Sequence, residues 1–565
     1  MGLYSTPFVR AYNKAGKTPG RSMSSWSSSR DLFEYTSGRF LFNEELRLAE
    51  RRIQFDVDAL VNVVCRSTNR PVRDLSSVSK LAEGGFNRVL QATFKDGYTV
   101  LVRIPYKVTV PKRLAVASEV ATLDVLRRNG VPVPKVVGYS VDQTNSVGAE
   151  YILLEKLEGQ PLSQVWFTMD NKARVKIMKQ IVAAENKFMH IPIPASGSLY
   201  YRRDLEQTQF GITLPGQSDV SAPDQIVVGP TAQHAWWYEE RKALEVDRGP
   251  WDSYLACFEA PARREMEYCR RFGKPRLHVE RCLRELYDFQ EMSPTLHVDL
   301  LSDYLKLAPY LNIPSEHPLA RPTLRHPDFS PNNIMVDSSN NMTGIIDWQH
   351  AVALPLCLCA GIPRYFQNWG DPVSEVLAKP ETKLPDNFRE LNQDEQTIMQ
   401  ETMRRRLVHF YYAALTMNQI PHHFDALRDE NSMLRAKLFN RAGTPWEGDS
   451  QSLMYWMIQA CNKWPMSIDK GGPPGSTKCP VEYSEQEVLH CTGLHDQEQE
   501  KLQILTEMRD VIGIDSLGWV PDDEHLEQSR AMAQNIKAGL LEQSESDTER
   551  TALLEHFSFD DHDEA

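Results

Sequence analysis

The chain has 565 residues, 41% of them hydrophobic and 25% charged, which is enough for two or more folded lobes around a sizeable core. Its net charge of -13 argues against a general nucleic-acid-binding protein, because such proteins carry a basic surplus. Nine cysteines at irregular spacing, without a CxxC pair, argue against a disulfide framework or a structural zinc site and favour a reducing compartment.

The first segment, residues 1–30, is rich in serine, contains five basic residues and has no acidic residue. This bias is typical of a mitochondrial presequence, and a disordered leader is the alternative. Gly2 followed by Thr6 also matches the N-myristoylation pattern. We therefore expect a mitochondrial location, with a cytoplasmic location as the alternative.

The segment from residue 31 to 77 is predicted as an N-terminal helical extension, with a helix over Leu46–Cys65. The pattern then changes to short β-type runs. The second and third runs are separated by Asp-Gly, a strong hairpin signal. The predicted strands are Val78–Leu81, Arg88–Phe94 and Tyr98–Ile104.

A predicted helix, Lys112–Arg128, follows these strands, and Tyr151–Glu155 is a further apolar strand. Residues 78–157 are therefore predicted as a small lobe made of a sheet and one helix. From residue 158 to 465 the pattern is mainly helical, with a Gly-, Pro- and Ser-rich insertion near 191–230. The predicted helices are Asn171–His190, Trp251–Phe272, Leu277–Gln290 and Asp394–Met417.

The C-terminal part, residues 466–541, is predicted as a glycine–proline loop followed by two amphipathic helices near Glu498–Ile512 and Asp522–Leu541. Residues 542–565 are strongly acidic and are predicted as a solvated tail. The longest apolar stretch, Ala351–Ile362, is interrupted by a proline and is too short to span a bilayer.

The most informative motif is H-x-D-x-x-x-x-N, formed by His326, Asp328 and Asn333, with Asp347 fourteen residues after the asparagine. A polar turn between two short apolar runs separates Asn333 from Asp347 and predicts a β-hairpin. If the turn centres on Asn340, residue 333 lies opposite residue 347. An amide oxygen and a carboxylate side by side are ligands that magnesium takes.

Asp328 can reach the same region, where it is the candidate to orient an acceptor hydroxyl and take its proton. His326 is predicted to brace the loop by hydrogen bonds rather than to react. An ordinary Asx-rich hairpin with a surface Asp and His is the alternative interpretation of the same residues.

A second cluster lies in the predicted N-terminal sheet, where Gly84 and Gly85 precede Asn87 between two strands. Such a turn can present backbone N–H groups to phosphates, although a Gly-Gly turn can also simply link two strands. Arg103 lies on the third strand and Glu119 lies on the apolar face of the following helix. Because a buried acid is costly without a partner, we expect the two to pair, either structurally or beside nucleotide phosphates.

Together these residues resemble the aminoglycoside phosphotransferase superfamily, which shares the protein kinase fold, over about residues 78–350. A finer resemblance is to a fungal subgroup, the altered inheritance of mitochondria protein 9 type. It is based on the stretches FEYTSGR at 33–39, AEGGFNR at 82–88, RIPY at 103–106, VPKR at 110–113, ASEVAT at 117–122 and RHPD at 325–328.

The resemblance implies a bilobal α+β fold, with an antiparallel-sheet N-lobe and a mainly helical C-lobe, that binds ATP and Mg²⁺ and phosphorylates a hydroxyl or amine acceptor. It implies that Asp328 is the catalytic base and that Asn333 and Asp347 are the metal ligands. The adenine hinge would lie at Leu154–Leu157, including Glu155 and Leu157.

Two departures leave a second function class open. Protein kinases place lysine where this chain has Arg103, which is not an equivalent residue, and Asn87 stands at a glycine position of the loop. The alternative is a catalytically weak or inactive, pseudokinase-like binding or regulatory protein of mitochondria, which would bind a protein partner through its C-terminal extension. The insertion near 191–230, the helices after residue 465 and the acidic tail favour it. A hydrolase is disfavoured, because no G-x-S-x-G motif occurs.

Overall fold

The computed structural model describes residues 30–216, 224–381, 383–464 and 478–563. All but the last residue of the predicted leader lies outside these ranges, as does the predicted glycine–proline loop at 471–475. Within the described ranges no helix combines the length and the apolar character needed to cross a membrane.

The N-terminal extension begins with a short strand and two helices rather than the single predicted helix. These elements are β1 (Arg39–Phe40), α1 (Glu44–Glu50) and α2 (Val57–Ser67). The helix breaks because Ile53 and Phe55 turn into the core of the N-lobe, and Asp56 then caps α2 by accepting a hydrogen bond from the Ala59 amide at 2.8 Å.

The N-lobe is a five-stranded antiparallel sheet in the order β2-β3-β4-β6-β5, with one helix inserted before β5. The predicted hairpin at Asp96-Gly97 is confirmed, and Gly97 has the positive φ of 87° that this turn requires. The elements are β2 (Leu75–Glu83), β3 (Asn87–Phe94), β4 (Thr99–Pro105), α3 (Leu114–Arg128), β5 (Val136–Ser140) and β6 (Tyr151–Glu155).

The two faces of this sheet have different partners because side chains alternate along a strand. On β4, Val100, Val102 and Ile104 are buried in a cluster with the apolar face of α2. Leu101 and Arg103 therefore lie on the opposite face, where they line a cleft between the lobes. The period-2 pattern thus directs Arg103 toward the cleft.

The largest hydrophobic cluster of the described residues lies mostly in the C-lobe, which also has two small sheets that carry the loops of the motif region. Its strands β11 and β14 pair with each other, and β12 lies between β7 and β13. Its elements up to residue 355 are β7 (Gln160–Pro161), α4 (Asn171–Met189), β8 (Ser198–Tyr201), β9 (Ile212–Thr213), β10 (Ile226–Gly229), α5 (Tyr254–Arg271), α6 (Pro294–Leu307), β11 (Pro322–Arg325), β12 (Ile334–Val336), β13 (Met342–Ile345) and β14 (Val352–Pro355).

In the part of the C-lobe that the structure describes, six α-helices follow: α7 (Leu356–Cys359), α8 (Pro372–Glu375), α9 (Gln393–Gln419), α10 (Pro421–Arg428), α11 (Glu430–Ala442) and α12 (Gln451–Asn462). The helix predicted over Leu277–Gln290 is wrong in type, because only a 3-10 helix forms there, over Arg281–Tyr287. Within the predicted insertion, strands β8, β10 and β9 form a small antiparallel sheet.

A C-terminal extension returns to the N-terminal end of the chain. It consists of α13 (Glu485–Ile512), β15 (Trp519–Val520), α14 (Asp523–Gln543) and α15 (Asp547–His556). The prediction of a solvated acidic tail is wrong, because this segment forms α15 and then buries Phe557 and Phe559 in a cluster with α13 and α14. Two aromatic side chains outweigh the local acidic bias.

Strand β15 pairs with β1, so the two ends of the chain form one unit. The indole of Trp519 lies against Gly38, leaving no room for a side chain there, and donates a hydrogen bond to the Tyr35 hydroxyl at 3.0 Å. The overall fold is α+β and bilobal, of the kinase-like type that the resemblance implied, with extensions at both ends.

Candidate active site

The loop between β11 and β12 is held by a buried histidine. His326 Nε2 donates to the carbonyl oxygen of Ile346 at 2.9 Å, and its Nδ1 accepts from the Asp328 amide at 3.1 Å. Its ring packs edge-on against Trp348, and burial lowers the pKa of His326 to about 4. The imidazole is therefore neutral near pH 7 and ties the loop to the end of β13, in agreement with the bracing position predicted for it.

Asp328 stays accessible to solvent, with its carboxylate directed by two neighbours. Its Oδ2 accepts from the Asn333 amide group at 3.0 Å and from the Ser330 hydroxyl at 3.3 Å. Partial burial, reinforced by the negative charge of Asp347, raises the pKa of Asp328 above its usual value. A carboxylate held in this way can accept a proton more readily than an ordinary surface aspartate.

Asn333 and Asp347 lie at the open end of the hairpin, but the predicted register is off by one residue. Ile334 pairs with Ile345, and the Ile346 amide donates to the Asn333 carbonyl at 2.9 Å. The pairing of Val336 with Met342 centres the turn on residue 339 rather than 340, and a bulge at Met335/Val336 recovers one of the two positions of offset. Asp347 then leaves the strand with a positive φ of 66°. The two side chains still line the same cleft.

Arg103 joins the N-lobe to this hairpin. One of its terminal nitrogens forms an ion pair with Glu119, which confirms the predicted pairing. The other lies 2.6 Å from Asp347 Oδ1 and 2.7 Å from Gln349 Oε1. Burial raises the pKa of Glu119 to about 7, and the charge of Arg103 acts in the opposite direction. The two sides of the cleft are thus linked through one guanidinium group.

The cleft is apolar at one end and polar at the other. Seven of the predicted site residues line it: Asn87, Arg103, Glu119, Glu155, Leu157, Asn333 and Asp347. Its apolar lining comes from both lobes and includes Leu81, Val89, Leu101, Leu154, Met335 and Ile346. A flat apolar group can therefore lie between the lobes while charged groups reach the Arg103–Asp347 end.

The other four predicted residues lie at the edges of this cleft. Gly84 and Gly85 form the turn between β2 and β3, which closes when the Gly84 amide donates to the Asn87 carbonyl at 2.9 Å. His326 and Asp328 lie beside the hairpin and contact the cleft through Asn333 and the Ile346 carbonyl.

Gln349 was missed by the sequence analysis. It is 7% exposed, and its side-chain oxygen is 2.6 Å from the side-chain amide group of Asn87 and 2.7 Å from Arg103. It therefore connects the start of β3 with the guanidinium on β4. Nothing in the sequence distinguishes it apart from its position two residues after Asp347.

Glu83, just before the glycine turn, was also missed. Its carboxylate is fully buried and lies 2.5 Å from Arg88, and it accepts hydrogen bonds from the Thr36 amide and the Ser37 hydroxyl, both at 2.8 Å. The N-terminal extension is thus attached to the strand that enters the turn. An acid beside Gly-Gly was the available sequence signal.

Comparisons with known proteins agree with this architecture. The model of the phosphotransferase enzyme family (APH) matches residues 77–357. A subtelomeric hrmA-associated cluster protein of Aspergillus fumigatus is 31% identical over 83% of this chain and 94% of its own length. The mitochondrial altered inheritance of mitochondria protein 9 of Clavispora lusitaniae is 22% identical over 87% of this chain and 86% of its own length.

Among solved structures, aminoglycoside phosphotransferase APH(4)-Ia in ternary complex with ADP and hygromycin B aligns with 68% of this chain and 99% of that chain, at 14% identity and a TM-score of 0.30. The APH(2")-IIa ternary complex with streptomycin and ATP aligns with 74% of this chain and 100% of that chain, at 12% identity and a TM-score of 0.34.

Proposed function

Because the chain belongs to the phosphotransferase enzyme family, we propose that it transfers a phosphoryl group from ATP, with Mg²⁺, to a hydroxyl or amine of a small-molecule acceptor. The observation that carries this proposal is that Asn333 and Asp347 line the polar end of an apolar interlobe cleft, with Asp328 held beside them by its hydrogen bond from Asn333. Phosphoryl transfer needs this combination of positioning and charge stabilisation.

The donor set fits magnesium. The Asn333 side-chain nitrogen donates to Asp328, so the Asn333 side-chain oxygen is the atom that can face a cation. Asp347 uses Oδ1 to contact Arg103, and its side chain is 33% exposed. Carboxylate and amide oxygens are the ligands of a hard divalent cation. In the proposal these two residues hold Mg²⁺, which when bound offsets the charge of the phosphate oxygens.

The remaining lining supports nucleotide binding in a defined orientation. In the proposal, the purine lies between the apolar residues of the two lobes and pairs with backbone groups of the Leu154–Leu157 hinge, at Glu155 and Leu157. The phosphates then extend toward Arg103, with the Gly84–Asn87 turn above them. A forked guanidinium suits phosphate oxygens, and a glycine turn lets backbone N–H groups approach them.

Asp328 is the proposed catalytic base. Its hydrogen bonds from Ser330 and Asn333 orient the carboxylate, and its raised pKa strengthens it as a proton acceptor. It would orient the acceptor hydroxyl and accept its proton as the phosphoryl group is transferred. His326 acts only through the loop, because both of its ring nitrogens are engaged by the backbone.

The test is magnesium-dependent ATP binding by the full-length chain, measured by isothermal titration calorimetry with and without MgCl₂. We expect binding that strengthens with Mg²⁺, and loss of that strengthening in Asp347→Asn. The exposed Asp252→Asn is the matched control and should behave like wild type. Absence of magnesium-dependent ATP binding by the wild-type protein would contradict the proposal.

A pseudokinase-like regulatory protein is the second candidate, favoured by one observation. Arg103 occupies one oxygen of Asp347, the carboxylate that is proposed to hold the metal. Complementation of a deletion strain by Asp328→Ala distinguishes the two functions. Full rescue would favour a regulatory role, whereas failure to rescue by a normally expressed variant supports catalysis.

We also propose a mitochondrial location, with residues 1–30 as the presequence. The relatives named as mitochondrial support this, as does the basic, serine-rich and acid-free composition of the segment. Fractionation of cells that express the chain with and without residues 1–30 tests it. Cytoplasmic recovery of the intact chain would contradict it.

A further inference from the structure

Two cysteine side chains in the C-lobe face each other. Cys461 lies in the last turn of α12, and Cys479 lies six residues before α13 begins. Their Sγ atoms are 3.3 Å apart, although 18 positions separate them in the sequence. The two sulfurs need to approach each other by a little over 1 Å to reach the roughly 2.05 Å of a disulfide bond.

This pair differs from most cysteines of the chain in accessibility. Both members are partly exposed, whereas Cys65, Cys257 and Cys491, for example, are buried. A small oxidant can therefore reach the pair from solvent. The cysteines also have fixed surroundings, because both pack against the C-lobe core and Cys461 Sγ lies 3.5 Å from the Val481 carbonyl oxygen.

The short distance between the two sulfurs also allows a resolving step. Burial, together with the hydrogen bond from Cys479, raises the pKa of Cys461. Whichever thiol is oxidised first, the other is at the right distance to act as the resolving thiol.

We propose that Cys461 and Cys479 form a reversible, redox-sensitive disulfide, with a hydroperoxide as the oxidant. The thiolate of one cysteine attacks hydrogen peroxide, which gives a sulfenic acid and, after proton transfer, one water. The other thiol then displaces the sulfenic oxygen as a second water and forms the S–S bond. Overall, two thiols and H₂O₂ give one disulfide and two waters, and a dithiol reductant returns the two electrons.

The bond would join the end of α12 to the segment that leads into α13. Helix α13 packs on α12 and on the Arg281–Tyr287 turn, so this junction is where the C-terminal extension leaves the C-lobe. Oxidation is therefore expected to fasten the extension to the C-lobe. The expected effect is a rise in Tm of about 2–5 °C, because the crosslink restricts the unfolded chain.

The experiment treats the folded full-length protein with hydrogen peroxide, blocks free thiols, and maps tryptic peptides without reduction. The expected product links peptide 442–463, which contains Cys461, to peptide 479–501. Because peptide 479–501 also contains Cys491, fragmentation must assign the sulfur. Dithiothreitol should release the link and return Tm to the reduced value.

Cys461→Ser and Cys479→Ser should each abolish the linked peptide and the Tm shift, while Cys282→Ser and Cys491→Ser should retain both. Circular dichroism establishes whether each variant folds. If one of Cys461→Ser and Cys479→Ser does not fold, the other alone is sufficient for the test. Absence of the linked peptide from folded wild type, or a link made through Cys491, would overturn the proposal.

Discussion

Arg103 contacts three oxygen acceptors in two different parts of the chain: Glu119 on α3, and Asp347 and Gln349 in the segment that follows β13. A guanidinium can do this because its donors are fixed in a planar fork, whereas an ammonium is a compact point charge on a flexible stem. Arginine at this position therefore contributes the geometry of its fork as well as its charge.

Arg103→Lys tests the importance of the fork. The variant keeps the charge but cannot join all three acceptors, so we expect ATP affinity to fall about tenfold, which corresponds to one or two hydrogen bonds. Calorimetric titration with ATP and Mg²⁺ measures this change. Arg128→Lys, at a largely exposed arginine of α3, is the control. Unchanged affinity in Arg103→Lys would show that charge alone suffices.

Gln349→Ala tests the link between Asn87 and Arg103. Removal of this side chain takes one acceptor from the Arg103 guanidinium, which keeps Asp347, and removes the contact with the Asn87 side chain, so we expect ATP binding to weaken about 5- to 20-fold. Gln349→Glu should retain more affinity than Ala, because it keeps an acceptor oxygen. The control Gln528→Ala, at an exposed glutamine, should match wild type. Equal ATP affinities of Gln349→Ala and wild type would show that Gln349 does not contribute to the site.

At this scale the sequence allowed some contacts to be predicted and not others. The Arg103–Glu119 pair followed from a physical rule, because an acid on an apolar helix face needs a nearby cation. Gln349 obeys no such rule: a neutral amide after Asp347 fits a surface turn equally well. Its position became clear only when β3 and the hairpin were placed together in space.

At the scale of elements, the hairpin that carries Asn333 and Asp347 shows how far pattern arguments reach. Its two strands and polar turn were predicted from alternation, but the register assumed a symmetric turn. The turn is centred one residue earlier than assumed, which offsets the pairing by two positions, and the bulge at Met335/Val336 restores one of them. Neither the turn centre nor a bulge follows from the alternation of apolar and polar residues.

Helix α13 carries an acid whose ionisation state should affect stability. Glu498 is buried, its Oε1 accepts from the Tyr287 hydroxyl, and Asp449 lies nearby. Burial, and then the charge of Asp449, raise the pKa of Glu498 from 4.5 to about 7, although Arg441 opposes the shift. The stability that the folded protein gains from this raised pKa is therefore fully present below about pH 4.5 and is lost as pH rises through about 7.

Glu498→Gln should remove this loss. As pH rises from about 5 to 8, the free energy of unfolding of the variant is expected to increase relative to that of wild type by up to about 3 kcal/mol. Urea denaturation at both pH values measures the difference, and exposed Glu500→Gln on the same helix is the control. A pH-independent difference between Glu498→Gln and wild type would contradict the assignment.

At the scale of the molecule, the extensions at the two ends of the chain form one unit around β1 and β15, and this unit leads through Tyr35–Ser37 to Glu83. The bilobal fold was predictable because its motifs are local. The joining of the ends was not, because two-residue strands give no periodic pattern and their partners lie at opposite ends of the sequence.

Trp519→Ala tests this connection. Loss of the indole removes the hydrogen bond to Tyr35 and the packing against Gly38. We expect amide hydrogen exchange to quicken about tenfold or more over residues 33–40 and, to a smaller extent, over 83–88. Trp369→Ala, at a largely exposed tryptophan of the C-lobe, should leave both segments unchanged. No change in exchange at 33–40 would show that the ends are held by other contacts.

The pairing of Tyr35 with Trp519 also sets an order of events during synthesis. The two residues are 484 positions apart, so at about 5–20 residues per second the ribosome adds the indole roughly 25–100 s after the tyrosine. During that interval the segment that anchors Glu83 lacks its final support. A chain truncated before residue 519 would therefore retain the contacts of Thr36 and Ser37 with Glu83 but lack the indole that holds this segment through Tyr35.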